Sequence, residues 1–285
     1  MSIFSGIWIP LITPFAGGAV DHDALRALVG GYVKAGVSGF VALGTTGEPA
    51  ALDDAEQAAV LATVLAAAGD VPVIAGVSGN HAATLRERVA RLNDEPVAGL
   101  LICAPYYVRP SQAGLVDHFA SLADISRKPV VIYDIPARTG VHIETETLLT
   151  LAAHPRIEAV KDCAGSQDAT LSLILDGRLR VMAGEDANIF TTLCMGGAGA
   201  IAASAHVRTG RFVALYRALA AGRLDEGRAI WHSLAPLVRA MFDEPNPGPV
   251  KSALAAQGVI ADGLRAPMTR ASAALHQRLR ELVAV

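Results

Sequence analysis

Eight short apolar runs punctuate the chain, and the segments between them repeat with helical period. The runs are Ile7–Leu11, Phe40–Leu43, Val71–Ala75, Gly99–Cys103, Val130–Tyr133, Ala159–Lys161, Arg180–Ala183 and Ala200–Ala203. Each is nearly continuous in apolar character, the pattern of a strand buried on both faces rather than of a half-solvated one. The intervening segments are Asp23–Ala35, Asp53–Ala68, Ala82–Leu92, Gln112–Ala123, Glu144–Ala153, Ala169–Leu175, Ile189–Met195 and Arg208–Ala221, several opening on an acidic or hydroxyl cap. Strand and helix alternating eight times argue for an α/β fold of the (β/α)8 TIM-barrel type. An open doubly wound sheet is the competing architecture, but no G-x-G-x-x-G follows the first run. After Gly222 the strand signals stop, and Leu224–Met241 and two later stretches read as helices. The expected organisation is a catalytic barrel over residues 1–222 and a small all-helical region over 223–285.

Composition excludes several classes. Of 285 residues, 52% are hydrophobic and 18% charged, which supports a large core and argues against disorder. The formal charge of −3 offers no basic patch for nucleic acid, and no uninterrupted apolar stretch of membrane-spanning length occurs. The first residues lack a basic leader and carry Pro10 and Pro14, so a cytoplasmic location is expected. Cys103, Cys163 and Cys194 form no C-x-x-C pair, which speaks for free thiols rather than disulfides or zinc.

Lys161 is the most informative side chain. It ends the sixth run, at the strand end where barrel active sites are built. With an ordinary pKa near 10.4, roughly one lysine amine in 2,500 is neutral at pH 7, but an apolar surrounding depresses that pKa and makes an imine with a keto acid feasible. A solvated lysine at a strand end is the plainer alternative. Tyr133 ends the fifth run at the equivalent place and can relay protons if hydrogen-bonded. Gly44-Thr-Thr-Gly-Glu48 brackets two hydroxyls between glycines ahead of a helix cap, a cradle suited to a carboxylate. Arg138, just past Tyr133, suits bidentate capture of a second carboxylate.

Six segments together resemble the dihydrodipicolinate synthase / N-acetylneuraminate lyase family of class I aldolases. They are Gly44–Leu52, Ala104–Gly114, Tyr133–Gly140, Val160–Asp162, Ala183–Asp186 and Asn246–Lys251, and the Pro-Tyr-Tyr, Arg-Thr-Gly and Asn-Pro-x-Pro-Val-Lys motifs look like the synthase branch. The resemblance implies that pyruvate forms an imine on Lys161 and condenses with L-aspartate 4-semialdehyde to give 4-hydroxy-tetrahydrodipicolinate. It implies a proton relay of Thr45, Tyr133 and a Tyr107 supplied by a neighbouring subunit. Thr46 is implied for the pyruvate carboxylate, Arg138 for the semialdehyde carboxylate, and Gly184 and Ile201 for the pyruvate pocket. A homotetramer without organic cofactor or catalytic metal is implied as well. This sequence departs from the family at Asp134, Ala164 and His206, where Asn, Ser or Thr, and Asn are usual. Two alternatives stay open: another pyruvate-dependent aldolase or dehydratase acting on a sugar acid or hydroxy-oxo acid, and a non-catalytic keto-acid-binding paralogue.

The resemblance also bears on regulation. Lysine-sensitive members hold the amino acid with a His and a Glu where this chain carries Asp54 and Thr84, and Gln57 replaces a second His, although Asn80 and Tyr106 are retained. Thr84 supplies no negative charge for the ligand's ammonium, and one lost charge-assisted hydrogen bond lowers affinity roughly 10- to 150-fold. Feedback inhibition by L-lysine is therefore expected to be weak or absent. A lysine titration of the initial rate at subsaturating pyruvate checks this: half-inhibition below about 1 mM, a binding free energy near −4 kcal/mol, would contradict it.

Overall fold

The computed structural model describes residues 2–284. Ten strands occur in it: β1 (Gly6–Pro10), β2 (Phe15–Ala16), β3 (Ala19–Val20), β4 (Gly39–Ala42), β5 (Val73–Val77), β6 (Gly99–Cys103), β7 (Val130–Asp134), β8 (Ile157–Asp162), β9 (Arg180–Ala183) and β10 (Gly199–Ile201). Eight follow the order β1-β10-β9-β8-β7-β6-β5-β4 of a closed barrel, while β2 and β3 form a small antiparallel ribbon. The eight barrel strands overlap the eight apolar runs, with ends displaced by at most two residues. The ribbon was not legible, because Phe15 and Ala16 turn on Gly17 and Gly18 and pair with Ala19 and Val20 over too short a span to show a period.

The helices are α1 (His22–Ala35), α2 (Asp54–Ala68), α3 (Ala82–Asn93), α4 (Gln112–Ile125), α5 (Pro136–Thr139), α6 (Thr145–Leu151), α7 (Gln167–Asp176), α8 (Ile189–Cys194), α9 (Thr209–Ala220), α10 (Leu224–Ala240), α11 (Gly248–Ala256) and α12 (Ala273–Ala284). Side-chain caps explain several of their starts. Asp21 accepts from the Ala24 amide ahead of α1, and Asp53 and Glu56 form a reciprocal capping box ahead of α2. No strand follows Ile201 among the described residues, and the chain ends in α10, α11 and α12.

The chain divides into two compact units: the residues through Gly6 with Pro72–Ile201, and Ile7–Val71 with the residues from Ala202 on. The first carries β5 to β10 in parallel register. Tyr133 of β7 stands opposite Lys161 of β8, which stands opposite Met182 of β9. Its core is aliphatic, with Ile74, Leu100, Ile102, Val130, Ile132 and Ala159 all fully buried.

The second unit pairs Trp8, Ile9 and Pro10 of β1 with Gly39, Phe40 and Val41 of β4. Trp8 is fully buried, and its ring occupies the space beside Gly39, where a Cβ would lie 2.4 Å from ring carbons. Glycine at that position is therefore a packing requirement. Gly39→Ala is expected to lower stability by about 1–3 kcal/mol, the usual cost of overpacking a filled core; urea denaturation measures it as a fall in midpoint at unchanged slope.

Candidate active site

Within the first unit the barrel strands bring Lys161, Tyr133 and Gly184 together. Lys161 is 6% exposed and Tyr133 7% exposed. The lysine Nζ lies 4.3 Å from the centre of the Tyr133 ring. Burial drives the Lys161 pKa below its ordinary value, and the Arg138 guanidinium adds to the shift, while the carboxylates of Asp186 and Glu185 pull the other way. Desolvation prevails over those carboxylates, so the amine is biased toward its neutral, nucleophilic form.

Gly184 leaves the room this amine needs. A Cβ there would stand 2.7 Å from Cγ and 3.0 Å from Cε of Lys161, and 2.5 Å from Sγ of Cys163. Cys163 follows the last residue of β8, and its Sγ lies with the Lys161 side chain beside Gly184. Its burial pushes the thiol up to about 12, so it packs as a neutral group. Ile201, at the end of β10, is 1% exposed.

Arg138 sits in the single turn α5, exposed, with its charge within electrostatic reach of Lys161. The Thr139 carbonyl in the same turn accepts the backbone N–H of Tyr107 at 3.1 Å. Tyr107 itself is 90% exposed and, like Arg109, has a positive φ, 72° against 48°. A left-handed tyrosine with its ring in solvent is costly for an isolated chain.

Thr45 and Thr46 belong to the second unit, in a tight turn that ends on Glu48. Thr45 is exposed and Thr46 is buried. The Asn246 amide donates to the Thr46 hydroxyl oxygen at 2.9 Å. A hydroxyl that accepts this bond still has its own proton to donate. Glu48, with φ of 54°, is ion-paired to Lys251, and both are buried. The Lys251 amine also donates to the Gly263 carbonyl at 2.9 Å and lies 4.2 Å from the centre of the Phe15 ring. Arg265 covers the same ring and grips Glu56 with two bonds of 2.6 Å. The motif Asn246–Lys251 is thus the brace of the Gly44–Glu48 turn.

Of the departures, His206 is accounted for by packing. Its Nε2 accepts the Ile12 amide at 3.2 Å and its Nδ1 donates to the Ala203 carbonyl at 2.8 Å, while burial lowers its pKa to about 4. The ring is therefore neutral and committed to backbone. Ala164 offers only its amide, which donates to Asp162 at 2.9 Å. Sequence reasoning did not reach Asn246, Glu48 or Lys251 as site supports. The signal available was the Asn-Pro-x-Pro-Val-Lys motif itself, whose polar ends have no role within a helical region.

A model of the Dihydrodipicolinate synthetase family matches residues 3–285. The 4-hydroxy-tetrahydrodipicolinate synthase of Haloarcula marismortui is 38% identical over 285 residues, covering 99% of this chain and 93% of the relative. A solved dihydrodipicolinate synthase from Thermotoga maritima superposes with a TM-score of 0.97 at 30% identity, covering 99% of this chain and 98% of that one. A chloride-inhibited dihydrodipicolinate synthase from Acinetobacter baumannii, solved with pyruvate, gives 0.95 at 30% identity over 98% of each chain.

The Glu48–Lys251 pair carries a stability expectation. Removing one partner of a buried ion pair strands the other charge without water, at a cost of about 3–5 kcal/mol. Lys251→Met should destabilise by that order in denaturant titration, and the double variant Lys251→Met/Glu48→Gln should recover a substantial part. Independent, additive losses would show that the two charges are not coupled.

Proposed function

Since this chain belongs to the dihydrodipicolinate synthetase family, we propose that it condenses pyruvate with L-aspartate 4-semialdehyde to 4-hydroxy-tetrahydrodipicolinate through an imine on Lys161. The observation that carries the reading is a buried amine, depressed by desolvation, against the face of Tyr133. Neutral Lys161 attacks the pyruvate carbonyl, water leaves, and loss of a methyl proton gives an enamine. The enamine carbon attacks the aldehyde, the substrate's own amine displaces Lys161, and the ring closes. No electrons enter or leave, so the chemistry calls for no redox cofactor, and the protonated imine is itself the electron sink that a metal would otherwise supply.

Tyr133, Thr45 and Tyr107 form the proton relay in this reading. Thr46 donates its hydroxyl to the pyruvate carboxylate, Arg138 takes the carboxylate of the semialdehyde, and Gly184 and Ile201 wall the pyruvate pocket. Tyr107 works in the site of a neighbouring copy within a homotetramer, which accounts for an exposed aromatic ring on a left-handed backbone. Among the described residues no helix is long and apolar enough to cross a membrane, in keeping with work in the cytoplasm. The relatives compared above carry the synthase name, so a sugar-acid aldolase is not favoured; Arg138 also supplies a carboxylate partner that such an enzyme would not require.

Borohydride reduction in the presence of pyruvate is expected to leave a pyruvyl adduct on the peptide containing Lys161, and Lys161→Ala to lose at least about 10³-fold in rate. Because burial lowers the amine's pKa, the trapping rate should climb with pH through a midpoint below lysine's ordinary 10.5. Labelling at another lysine would refute the assignment. Arg138→Ala should weaken the semialdehyde by roughly 30- to 1,000-fold, the worth of a desolvated charge pair, and leave pyruvate nearly unchanged. Steady-state KM values for the two substrates separate this from a general loosening of the rim, which would raise both.

A further inference from the structure

Asp134 ends β7 one residue after Tyr133, so the period of two turns its side chain away from the one that carries the phenol. It is 1% exposed. Its carboxylate accepts the backbone N–H of Ile143 at 3.3 Å through one oxygen and faces His142 Nδ1 at 3.1 Å through the other. The chain between, 135–143, leaves the strand at Asp134 and returns to Asp134. It contains α5, Arg138 and the Thr139 carbonyl that holds the Tyr107 amide. The Thr139 hydroxyl, its one proton shared between the Ile135 and Val141 carbonyls at 3.1 and 2.9 Å, keeps the turn tight from inside. Gln112 at the start of α4 seals the far end, donating to the His142 carbonyl at 2.9 Å and accepting from the Glu144 amide at 3.1 Å.

From this geometry we infer that Asp134 is a positioning residue for the second substrate: its carboxylate closes the 135–143 loop and so sets where Arg138 presents its guanidinium. The inference rests on the synthase reading for the identity of that substrate. Keeping a carboxylate there is demanding. Burial pushes its pKa up to about 6, His142 pulls it down, and the neighbouring Asp162 adds repulsion. What repays the burial is a closure made by backbone and side chain at once. Asp134 touches no reacting atom, and its effect runs through Arg138. An ångström of misplacement at a binding group is enough to cost one to two orders of magnitude.

The test combines kinetics with amide exchange. Asp134→Ala is expected to raise the semialdehyde KM about tenfold or more while the pyruvate KM stays within about twofold, and to speed hydrogen exchange at the Ile143 amide about tenfold or more. Asp134→Asn retains an oxygen that accepts from Ile143 and should keep both readouts within about threefold of wild type. His142→Ala, at a half-exposed position, gives a second route with a smaller change of the same pattern if the alanine variant does not fold. A parallel rise of both KM values, or unchanged Ile143 exchange in Asp134→Ala or in His142→Ala, overturns the inference. Failure of the synthase reading shows separately, as no pyruvyl adduct on wild-type Lys161; exchange then still decides the closure, because it needs no substrate.

Discussion

Holding an amine away from water at the end of a strand is the constraint that the first unit serves. An ammonium buried at Lys161 loses hydration worth several kcal/mol. The Tyr133 face returns about 2 kcal/mol through the cation–π contact, and the carboxylates of Asp186 and Glu185 oppose part of the rest. Desolvation remains the largest cause of the shift and its sign is downward. The features around the lysine follow from that imbalance. Gly184 keeps the space beside Cγ and Cε open, and Cys163 stays a neutral thiol rather than a thiolate that would restore the charge.

Lys251 shows the opposite solution with the same side chain. It is fully buried, burial again lowers its pKa, but Glu48 stands against it and opposes the shift by hydrogen bond and charge. An ion-paired, hydrogen-bonded lysine is inert as a nucleophile and useful as a brace. It fixes the residue that closes the Gly44–Glu48 turn in a left-handed conformation, a strain that only an over-determined neighbourhood sustains. Burial alone therefore does not mark a reactive lysine; the partner decides.

Loops carry the side chains proposed for recognition, and each loop is pinned by a polar side chain, one at the end of a strand and two in turns of their own. Asp134 pins the Arg138 loop, Asn246 pins Thr46, and Asn80 accepts the Tyr106 amide at 3.0 Å. Scaffold rigidity is passed to mobile chemistry by single hydrogen bonds, each worth about a kcal/mol but each deciding a direction.

Much of this was readable in the sequence, because a strand buried on both faces must be apolar throughout and a helix must repeat near 3.6. That periodicity placed the eight barrel strands, the major helices and Lys161 at a strand end. Caps are local, and the one at Asp53 was legible in the sequence around it. The short ribbon and the single turn α5 were not, since neither is long enough to carry a period. Which buried lysine is paired, that Asn246 reaches Thr46 across 200 positions, and that Asp134 folds back on Ile143 were decided only by the tertiary structure. Period encodes which face is buried, whereas the partner of a buried polar group is set by whichever distant segment the fold delivers beside it.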